Sequence, residues 1–373
     1  MLAPKKIKSI LVLRLGGIGD VVMATPVFRA LKAHFSNARI TLLSEEPGAE
    51  VVRGAPYVDE LLPFRELYTY RRKSLMALPM NIKSFIEELR LAKTLLQRRY
   101  DIFVDLHMLY GFKNAIRPMM IGCFSRAPIR VGLDTDRHSL LMNIRVPDSA
   151  FRMRHLVDRS LDVIGALGVD TSNRQTEVWI TEADRKFARE LLDKNIDLND
   201  KLLIGIHAGA NPWALVRQSW PLERFAAVAD ILSEKYGAKI VFTGGRSEIS
   251  LIEQATLLMK KKPFIAAGLT TLKQAAALME RCHLFISNDT GPMHMAVAMK
   301  TPTIGIFGPG NWPALGTYAP ETNFIMVRKD IDCWPCHNLK CATRACMERI
   351  AVDDVVSAAG KQISKLYANK FGK

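Results

Sequence analysis

Short apolar runs alternate with amphipathic stretches along the first half of the chain. Residues 10–13 form a continuous apolar run, typical of a strand buried on both faces of a parallel sheet, and a glycine turn and a helical pattern follow. Residues 39–43 and 102–106 are also strand-like. Ser84 with Glu87 forms a capping-box pattern at the start of a helix. This half is therefore predicted to have β-α-β organisation.

The second half repeats the alternation. Its strand-like runs cover residues 202–207, 239–243, 264–266, 284–287 and 303–307, of which the last is predicted to close the sheet. Pro221 opens a helix that Gly237 closes, and Thr271 begins another with a capping box. Such alternation predicts a doubly wound parallel sheet in each half, with right-handed crossovers.

A polar stretch near residues 171–183 separates the halves, and Thr181 begins a new helix there. A chain of 373 residues is long enough for two domains, each with its own core. We predict an α/β protein with Rossmann-like domains at residues 1–175 and 176–351, followed by a terminal helix within residues 352–373.

Composition excludes some classes of protein. No apolar run reaches the roughly 18 residues that a membrane span needs, and the N-terminal apolar run is broken by an arginine and glycines, so neither a span nor a signal peptide is indicated. Six cysteines in a chain of this size do not resemble the dense framework of a small secreted domain. We therefore expect a cytoplasmic protein.

Positive charge is concentrated in the first half of the chain. The net charge is +15, and residues 1–175 carry 27 Lys+Arg against 17 Asp+Glu. The excess lies in and after residues 65–99, at Arg71, Arg72, Lys73, Lys83, Arg90, Lys93, Arg98, Arg99, Arg117, Arg126, Arg130 and Arg137. Nucleic acid, an acidic lipid surface or a phosphorylated glycan would each satisfy such a field, and a merely solvated basic surface is the alternative.

The turn after the first strand carries three glycines, Gly16, Gly17 and Gly19, and then Asp20. In open parallel sheets ligands bind beyond the carboxyl ends of the strands, and a glycine turn before a helix lets an anionic ligand approach the backbone. A dinucleotide fingerprint that starts with Gly17 and Gly19 would need its last glycine at position 22. This chain has Val22 there, so an NAD site is disfavoured. Asp20 could simply cap the helix.

A second turn, residues 287–294, lies between a strand and a helix. The carboxylate of Asp289, the hydroxyl of Thr290 and the backbone at Gly291 could hold a ribose and a phosphate together, with His294 as a further donor. The structural alternative makes Asp289 the N-cap of the helix and His294 a core histidine.

A third turn follows residues 202–207 and contains Gly209 and Asn211. Arg217 precedes the next helix, and a guanidinium at this position could stabilise a departing diphosphate. Trp220, close by, is predicted to be a packing residue.

Four cysteines lie within a short segment near the C-terminus: Cys333, Cys336, Cys341 and Cys346. With His337 beside them they could wrap a structural zinc ion. One CxxC followed by two evenly spaced cysteines is a weaker signal than two CxxC pairs, so a segment without metal is the alternative.

Together the turns resemble glycosyltransferase family 9, the bacterial heptosyltransferases of lipopolysaccharide core assembly. The matching pieces are residues 10–26, 217–221, 243–245 and 287–294. The resemblance implies a GT-B fold with an interdomain cleft, an acceptor-binding first domain, a nucleotide-sugar-binding second domain and a terminal helix that crosses back to the first. It also implies a metal-independent, inverting transfer from ADP-heptose to the inner core of lipopolysaccharide, with no cofactor.

Carried over by position, the resemblance makes Asp20 the general base for the acceptor hydroxyl, with Gly16, Gly17 and Gly19 on the acceptor side. It places donor contacts at Gly209, Glu248, Asp289, Thr290, Gly291 and His294. The family commonly has a lysine where this chain has Gln218, so stabilisation of the leaving group is assigned to Arg217.

The expected partners are a nucleotide-sugar donor, an anionic glycolipid acceptor and the anionic inner face of the cytoplasmic membrane, where the enzyme would lie peripherally. Nucleic acid is not expected, because no RNP-like or helix-turn-helix segment is evident. A GT-B transferase or epimerase that uses another nucleotide sugar remains the alternative, and an NAD-dependent oxidoreductase lacks its fingerprint.

Overall fold

A computed structural model of the chain describes residues 4–64, 82–107, 112–135, 140–148, 153–209, 219–308, 310–319, 323–334, 336, 341 and 343–371. These residues form two compact units, Met1–Thr176 and Glu177–Lys373. Each unit contains one parallel six-stranded sheet with helices between its strands.

The strands of the first unit are β1 (Ser9–Leu13), β2 (Arg39–Glu45), β3 (Glu60–Phe64), β4 (Ile102–Asp105), β5 (Ile129–Asp134) and β6 (Ile144–Pro147). Their order in the sheet is β3-β2-β1-β4-β5-β6. The helices of this unit are α1 (Ile18–His34), α2 (Ile82–Arg98), α3 (Phe112–Phe124) and α4 (Leu156–Gly165). Because α2 begins at Ile82, the capping box predicted at Ser84 is wrong: Ser84 lies inside the helix.

The core of the first unit explains why β1 is so apolar. Ile10, Leu11, Val12 and Leu13 are fully buried, since β1 pairs with β2 on one side and β4 on the other while helices cover the sheet. A central strand of a parallel sheet meets protein on every side, so its sequence is continuously hydrophobic.

The second unit has the strands β7 (Leu203–His207), β8 (Lys239–Phe242), β9 (Phe264–Ile265), β10 (Leu284–Asn288), β11 (Thr303–Ile306) and β12 (Phe324–Val327). Their order is β12-β11-β10-β7-β8-β9. The helices are α5 (Glu182–Asn195), α6 (Leu222–Tyr236), α7 (Ile249–Leu257), α8 (Leu272–Arg281), α9 (Gly291–Ala298), α10 (Trp312–Leu315), α11 (Ala345–Glu348) and α12 (Val352–Phe371).

Local signals set the helix ends of the second unit as predicted. Pro221 is the N-cap of α6, and Gly237 ends that helix with a left-handed φ of 63°. Thr271 accepts the N–H of Gln274 at the start of α8. The prediction that residues 303–307 close the sheet is wrong, because β12 pairs outside β11. As an edge strand β12 is mostly half-buried, and this weakens its apolar pattern.

Helix α12 packs on α6 and on the strands of the second sheet. Val355, Ala359 and Ile363 on this helix belong to the core of the second unit. The passage of residues 352–373 back to the first domain stays a prediction.

Both sheets change winding direction at their centre. The chain moves outward from β1 to β3 and then returns to place β4 on the other side of β1, and β7 and β10 are related in the same way. A crevice opens beyond the carboxyl ends of the strands at such a switch point. The residues after β1, β4, β7 and β10 are therefore the ones to examine for chemistry.

Candidate active site

The glycine turn after β1 is shaped around the carboxylate of Asp20. Gly16 has a φ of 131°, and a Cβ there would lie 2.4 Å from Oδ2 of Asp20. Gly17 is the N-cap of α1, and its N–H donates to Oδ2 at 2.9 Å. The turn thus needs a glycine at position 16, both for its backbone conformation and for space. Gly19 lies in the first turn of α1.

Asp20 is also paired with a buried arginine. Nη2 of Arg14 donates to Oδ1 of Asp20 at 2.7 Å, while the carboxylate remains partly exposed. The capping contact considered for Asp20 is therefore present, through the N–H of Gly17. This contact does not exclude a base, because a carboxylate has about four acceptor positions and the described residues occupy two of them. The role of Asp20 as base stays a prediction.

Two titratable residues at the end of β4 were missed by sequence reasoning. Asp105 is buried, and desolvation raises its pKa to about 7, although the N–H of His107 and the charge of Arg14 oppose this. Burial lowers the pKa of the His107 ring to about 4, and Arg14 lowers it further. An acidic residue at the end of an apolar strand was the available signal, but that β4 lies beside β1 is known only from the topology.

In the second unit, Asn288 joins three segments: the end of β10, the turn after β7 and the segment before α6. Its amide donates to the carbonyls of Ala208 and Gly209, both at 3.0 Å, and its Oδ1 accepts the N–H of Trp220 at 3.1 Å. Asn288 is fully buried at the end of β10. One side chain therefore fixes the turn after β7 and the segment before α6 against β10.

Trp220 is buried and packs edge-on against Phe225, and its Nε1 donates to the carbonyl of Ile350 at 3.0 Å. Its prediction as a packing residue is confirmed.

Glu248 and Gly209 lie together. Glu248 accepts the N–H of Gly245 at 2.7 Å, and its Oε1 is 3.6 Å from Nε2 of buried His207. A Cβ at Gly209 would come within 1.7 Å of that oxygen, so a side chain at 209 would displace Glu248. Burial lowers the pKa of His207, and the carboxylate of Glu248 opposes the shift.

Asp289 is half-buried directly after β10. Its N–H donates to the carbonyl of Ile306 at 3.1 Å, whereas its carboxylate has no hydrogen bond or ion pair with the residues that the structure describes. Desolvation raises the pKa of this carboxyl group to about 7. A carboxyl group left in this way is suited to accept hydrogen bonds from a ligand.

Helix α9 begins next to Asp289. Thr290, not Asp289, is its N-cap, so that part of the structural alternative is wrong. The hydroxyl of Thr290 faces the carbonyl of Asn288 at 3.3 Å, and within the described part of the chain it caps no N–H of the helix. Gly291 is the first helical residue, and His294 is buried one turn later. An anion at the helix start can therefore accept hydrogen bonds from backbone N–H groups and lies at the positive end of the helix dipole.

Several predicted residues lie outside the described residues: Arg71, Arg72, Lys73, Arg137, Asn211, Arg217, Gln218 and His337. The four clustered cysteines are described, and no disulfide joins them. In the part of the chain that the structure describes, no group of three or more His, Cys, Asp or Glu side chains is arranged to hold a metal ion. No helix among these residues is long and apolar enough to cross a membrane.

Two six-stranded parallel sheets with polar turns at their switch points define a doubly wound α/β protein of the Rossmann-like class. Comparison with known proteins narrows the class. The model of the family described as "Glycosyltransferase family 9 (heptosyltransferase)" matches residues 88–346. The lipopolysaccharide core heptosyltransferase OpsX of Haemophilus influenzae is 24% identical over 329 residues, which cover 87% of this chain and 85% of that protein.

Solved structures agree. A family 9 glycosyltransferase from Veillonella parvula is 27% identical with a TM-score of 0.76, and the match covers 98% of this chain and 99% of that one. The E. coli ADP-heptose lipopolysaccharide heptosyltransferase II shares the fold at 19% identity and a TM-score of 0.71, covering 96% of this chain and 100% of that one. The chain belongs to glycosyltransferase family 9. The predicted enzyme class and the GT-B fold class are confirmed.

Proposed function

We propose that this chain is an inverting heptosyltransferase that moves a heptose from ADP-heptose to the inner core of lipopolysaccharide without a catalytic metal ion. The observation that carries the proposal is the end of β10, where Asn288 fixes the surrounding turns beside the carboxylate of Asp289 and the start of α9. A nucleoside diphosphate matches this arrangement, because ribose hydroxyls donate to a carboxylate and phosphates accept from a helix N-terminus. We choose ADP-heptose as the donor because the name of the similar E. coli heptosyltransferase II includes it.

We assign the donor contacts within the second unit. Asp289 accepts hydrogen bonds from the ribose hydroxyls. Phosphate oxygens accept hydrogen bonds from the N–H of Gly291 and from the side chains of Thr290 and His294. Glu248 binds the nucleoside. Gly209 keeps the space that Glu248 occupies. The positive end of α9 and Arg217, which lies outside the described residues, stabilise the departing diphosphate. Charge supplied in this way makes a catalytic metal ion unnecessary.

The first unit supplies the base. Asp20 takes the proton of the acceptor hydroxyl as its oxygen attacks the anomeric carbon, and the nucleoside diphosphate leaves from the opposite face. The configuration at that carbon therefore inverts.

Binding of the nucleotide tests the donor assignment. In a thermal-shift panel of ADP, UDP, GDP and their sugars, ADP species should raise the melting temperature, since a ligand that binds only the folded state stabilises it. A preference for UDP or GDP would overturn the assignment. Hydrolysis or epimerisation of the donor without an acceptor would instead support the epimerase alternative.

We also propose peripheral contact with an anionic membrane through α2 and α3. Apolar side chains are exposed on both helices, at Ile86, Leu89, Leu96, Ile116 and Met120. The two helices contact each other, and α2 also exposes basic Arg90 and Lys93. Exposed apolar residues with cationic neighbours match the interface of an anionic bilayer.

Vesicle sedimentation tests this surface. Vesicles of phosphatidylethanolamine with phosphatidylglycerol should bind the protein, and Leu89→Ser with Leu96→Ser should weaken binding. The matched control is Leu257→Ser with Leu258→Ser, two exposed leucines of the second unit that should not matter. Equal loss in both double variants, or binding unchanged by salt, would refute the surface.

A further inference from the structure

At least three hydrogen bonds hold the side chain of Arg14. Its side chain is 1% exposed, whereas that of its partner Asp20 is 34% exposed. Nη2 donates to Oδ1 of Asp20 at 2.7 Å, and Nε donates to the main-chain oxygen of the same residue at 3.1 Å. Nη1 donates to the carbonyl of Leu106, beyond β4, at 2.6 Å. The guanidinium thus joins the two strands of the switch point to one carboxylate.

A role in stability alone explains this pair poorly. Burying a guanidinium costs free energy, and a pair recovers that cost only when the partner is also desolvated and well hydrogen-bonded. Arg159 and Asp148 in the same unit form such a pair, with both side chains buried. The carboxylate of Asp20 reaches solvent instead, so its attraction to Arg14 is screened.

Arg14 does, however, define the orientation of Asp20. Oδ1 is fixed by Arg14 and Oδ2 by the N–H of Gly17. Each oxygen retains an acceptor position for a hydroxyl group. Because the guanidinium is fixed to Leu106 as well, it cannot follow a rotating carboxylate without breaking its contact beyond β4.

We propose that Arg14 is the positioning residue of the transfer reaction, which holds the Asp20 carboxylate in the orientation that accepts the proton of the acceptor hydroxyl. The proposal rests on the role of Asp20 as base. In this step the hydroxyl proton moves to Asp20, the hydroxyl oxygen bonds to the anomeric carbon, and the bond from that carbon to the phosphate oxygen breaks. The nucleoside diphosphate leaves with the electron pair, and Arg14 stays charged throughout.

The test compares Arg14→Met, Arg14→Lys and Arg159→Lys in the full chain, with donor and acceptor kinetics. Arg14→Met should lower kcat about 100-fold, the size of effect that misplacement of a catalytic group by about 1 Å can cause. The KM for the donor should change less than about twofold, because its contacts are assigned to the second unit. Arg14→Lys should recover about tenfold, since an ammonium restores the charge and one of the hydrogen bonds.

Arg159→Lys is the matched control, a buried arginine replaced in the same unit. It should lower the melting temperature at least as much as Arg14→Lys and leave kcat unchanged. Should Arg14→Met fail to fold, the kcat of Arg14→Lys relative to this control still decides.

The outcomes separate this proposal from the proposed function. If Asp20→Asn abolishes transfer while both Arg14 variants keep kcat within about threefold of the wild type, Arg14 is not a positioning residue and Asp20 remains the base. Near-normal turnover of Asp20→Asn would remove the base and this proposal with it. An equal kcat loss in Arg159→Lys would show a general effect of stability and overturn the role of Arg14.

Discussion

The two units have the same strand order, yet the carboxylates at their switch points differ in their hydrogen-bond partners. Asp20 in the first unit is fixed by a buried arginine and a backbone N–H. Asp289 in the second has no such partner among the described residues, and desolvation raises its pKa to about 7.

On the roles proposed for them, Asp20 is a reactive group that the protein orients, whereas Asp289 is a binding group that the described residues leave unsatisfied. A base that must meet a proton in one geometry gains from being fixed before the substrate arrives. A carboxyl group that binds ligand hydroxyls has a higher affinity for them when no protein group competes for its oxygens. One topology serves both needs because the switch point sets only where the turns lie, while the turn sequences determine what each carboxylate contacts.

The largest expected effect is on transfer itself. Asp20→Asn should lower kcat about 10²- to 10⁴-fold, the usual contribution of general base catalysis, and should leave donor affinity unchanged. Steady-state kinetics with calorimetric titration of ADP measure both quantities. Loss of ADP binding in this variant would contradict the separation of roles between the units.

Asp289→Asn should weaken donor binding more than it lowers turnover. A hydrogen bond to a charged group contributes about 1.5–3 kcal/mol, so the Kd for the donor should rise about 10- to 100-fold with a smaller change in kcat. The Kd comes from titration and kcat from turnover at saturating donor. A variant with normal donor affinity and lost turnover would place the reactive carboxylate in the second unit.

Adjacent glycines provide a matched pair in the first unit. Gly16→Ala forces a Cβ to within 2.4 Å of Asp20 at a φ of 131°, so we expect about 1–3 kcal/mol of lost stability and reduced kcat. Gly17→Ala meets no described heavy atom within 4 Å and should be close to neutral. Denaturant melts and kinetics of the two variants test this. Equal effects would show that the space around Asp20 is not what position 16 provides.

The pH dependence of donor binding should identify Asp289. The pKa of this group is raised to about 7 in the donor-free fold, so the carboxyl group keeps its proton below that pH and its contribution to stability is lost as pH rises through about 7. If hydroxyls bind the ionised form, donor affinity should rise about tenfold between pH 6 and 8 with release of a proton. Calorimetry in buffers of different ionisation enthalpy measures the release, and Asp289→Asn should abolish it.

Much of this arrangement could be predicted from sequence. Interactions between residues close in sequence set several features that were predicted. These are the apolar strands, the glycine turn at Gly16 and the helix starts at Pro221 and Thr271. The position of Asp289 beside a helix start followed from the same pattern. These features depend on residues a few positions apart.

What the sequence left undetermined depends on strand order and side-chain direction. Arg14 lies within the matching residues 10–26, but its bond to Leu106 exists only because β4 returns beside β1. The reach of Asn288 to Ala208 likewise requires β10 to pair with β7. Edge strand β12 was missed because half-exposed residues weaken the apolar pattern.

The amide of Asn288 ties together segments that are some eighty residues apart along the chain, as its bond to Ala208 shows. The backbone hydrogen of Trp220, which it accepts, is therefore protected from solvent only while all three segments are joined. Exchange of that single hydrogen for deuterium would report how often the proposed donor site opens, without any nucleotide present. Because the bond to Ala208 requires β10 to pair with β7, the proposed donor site is complete only once these two strands are paired.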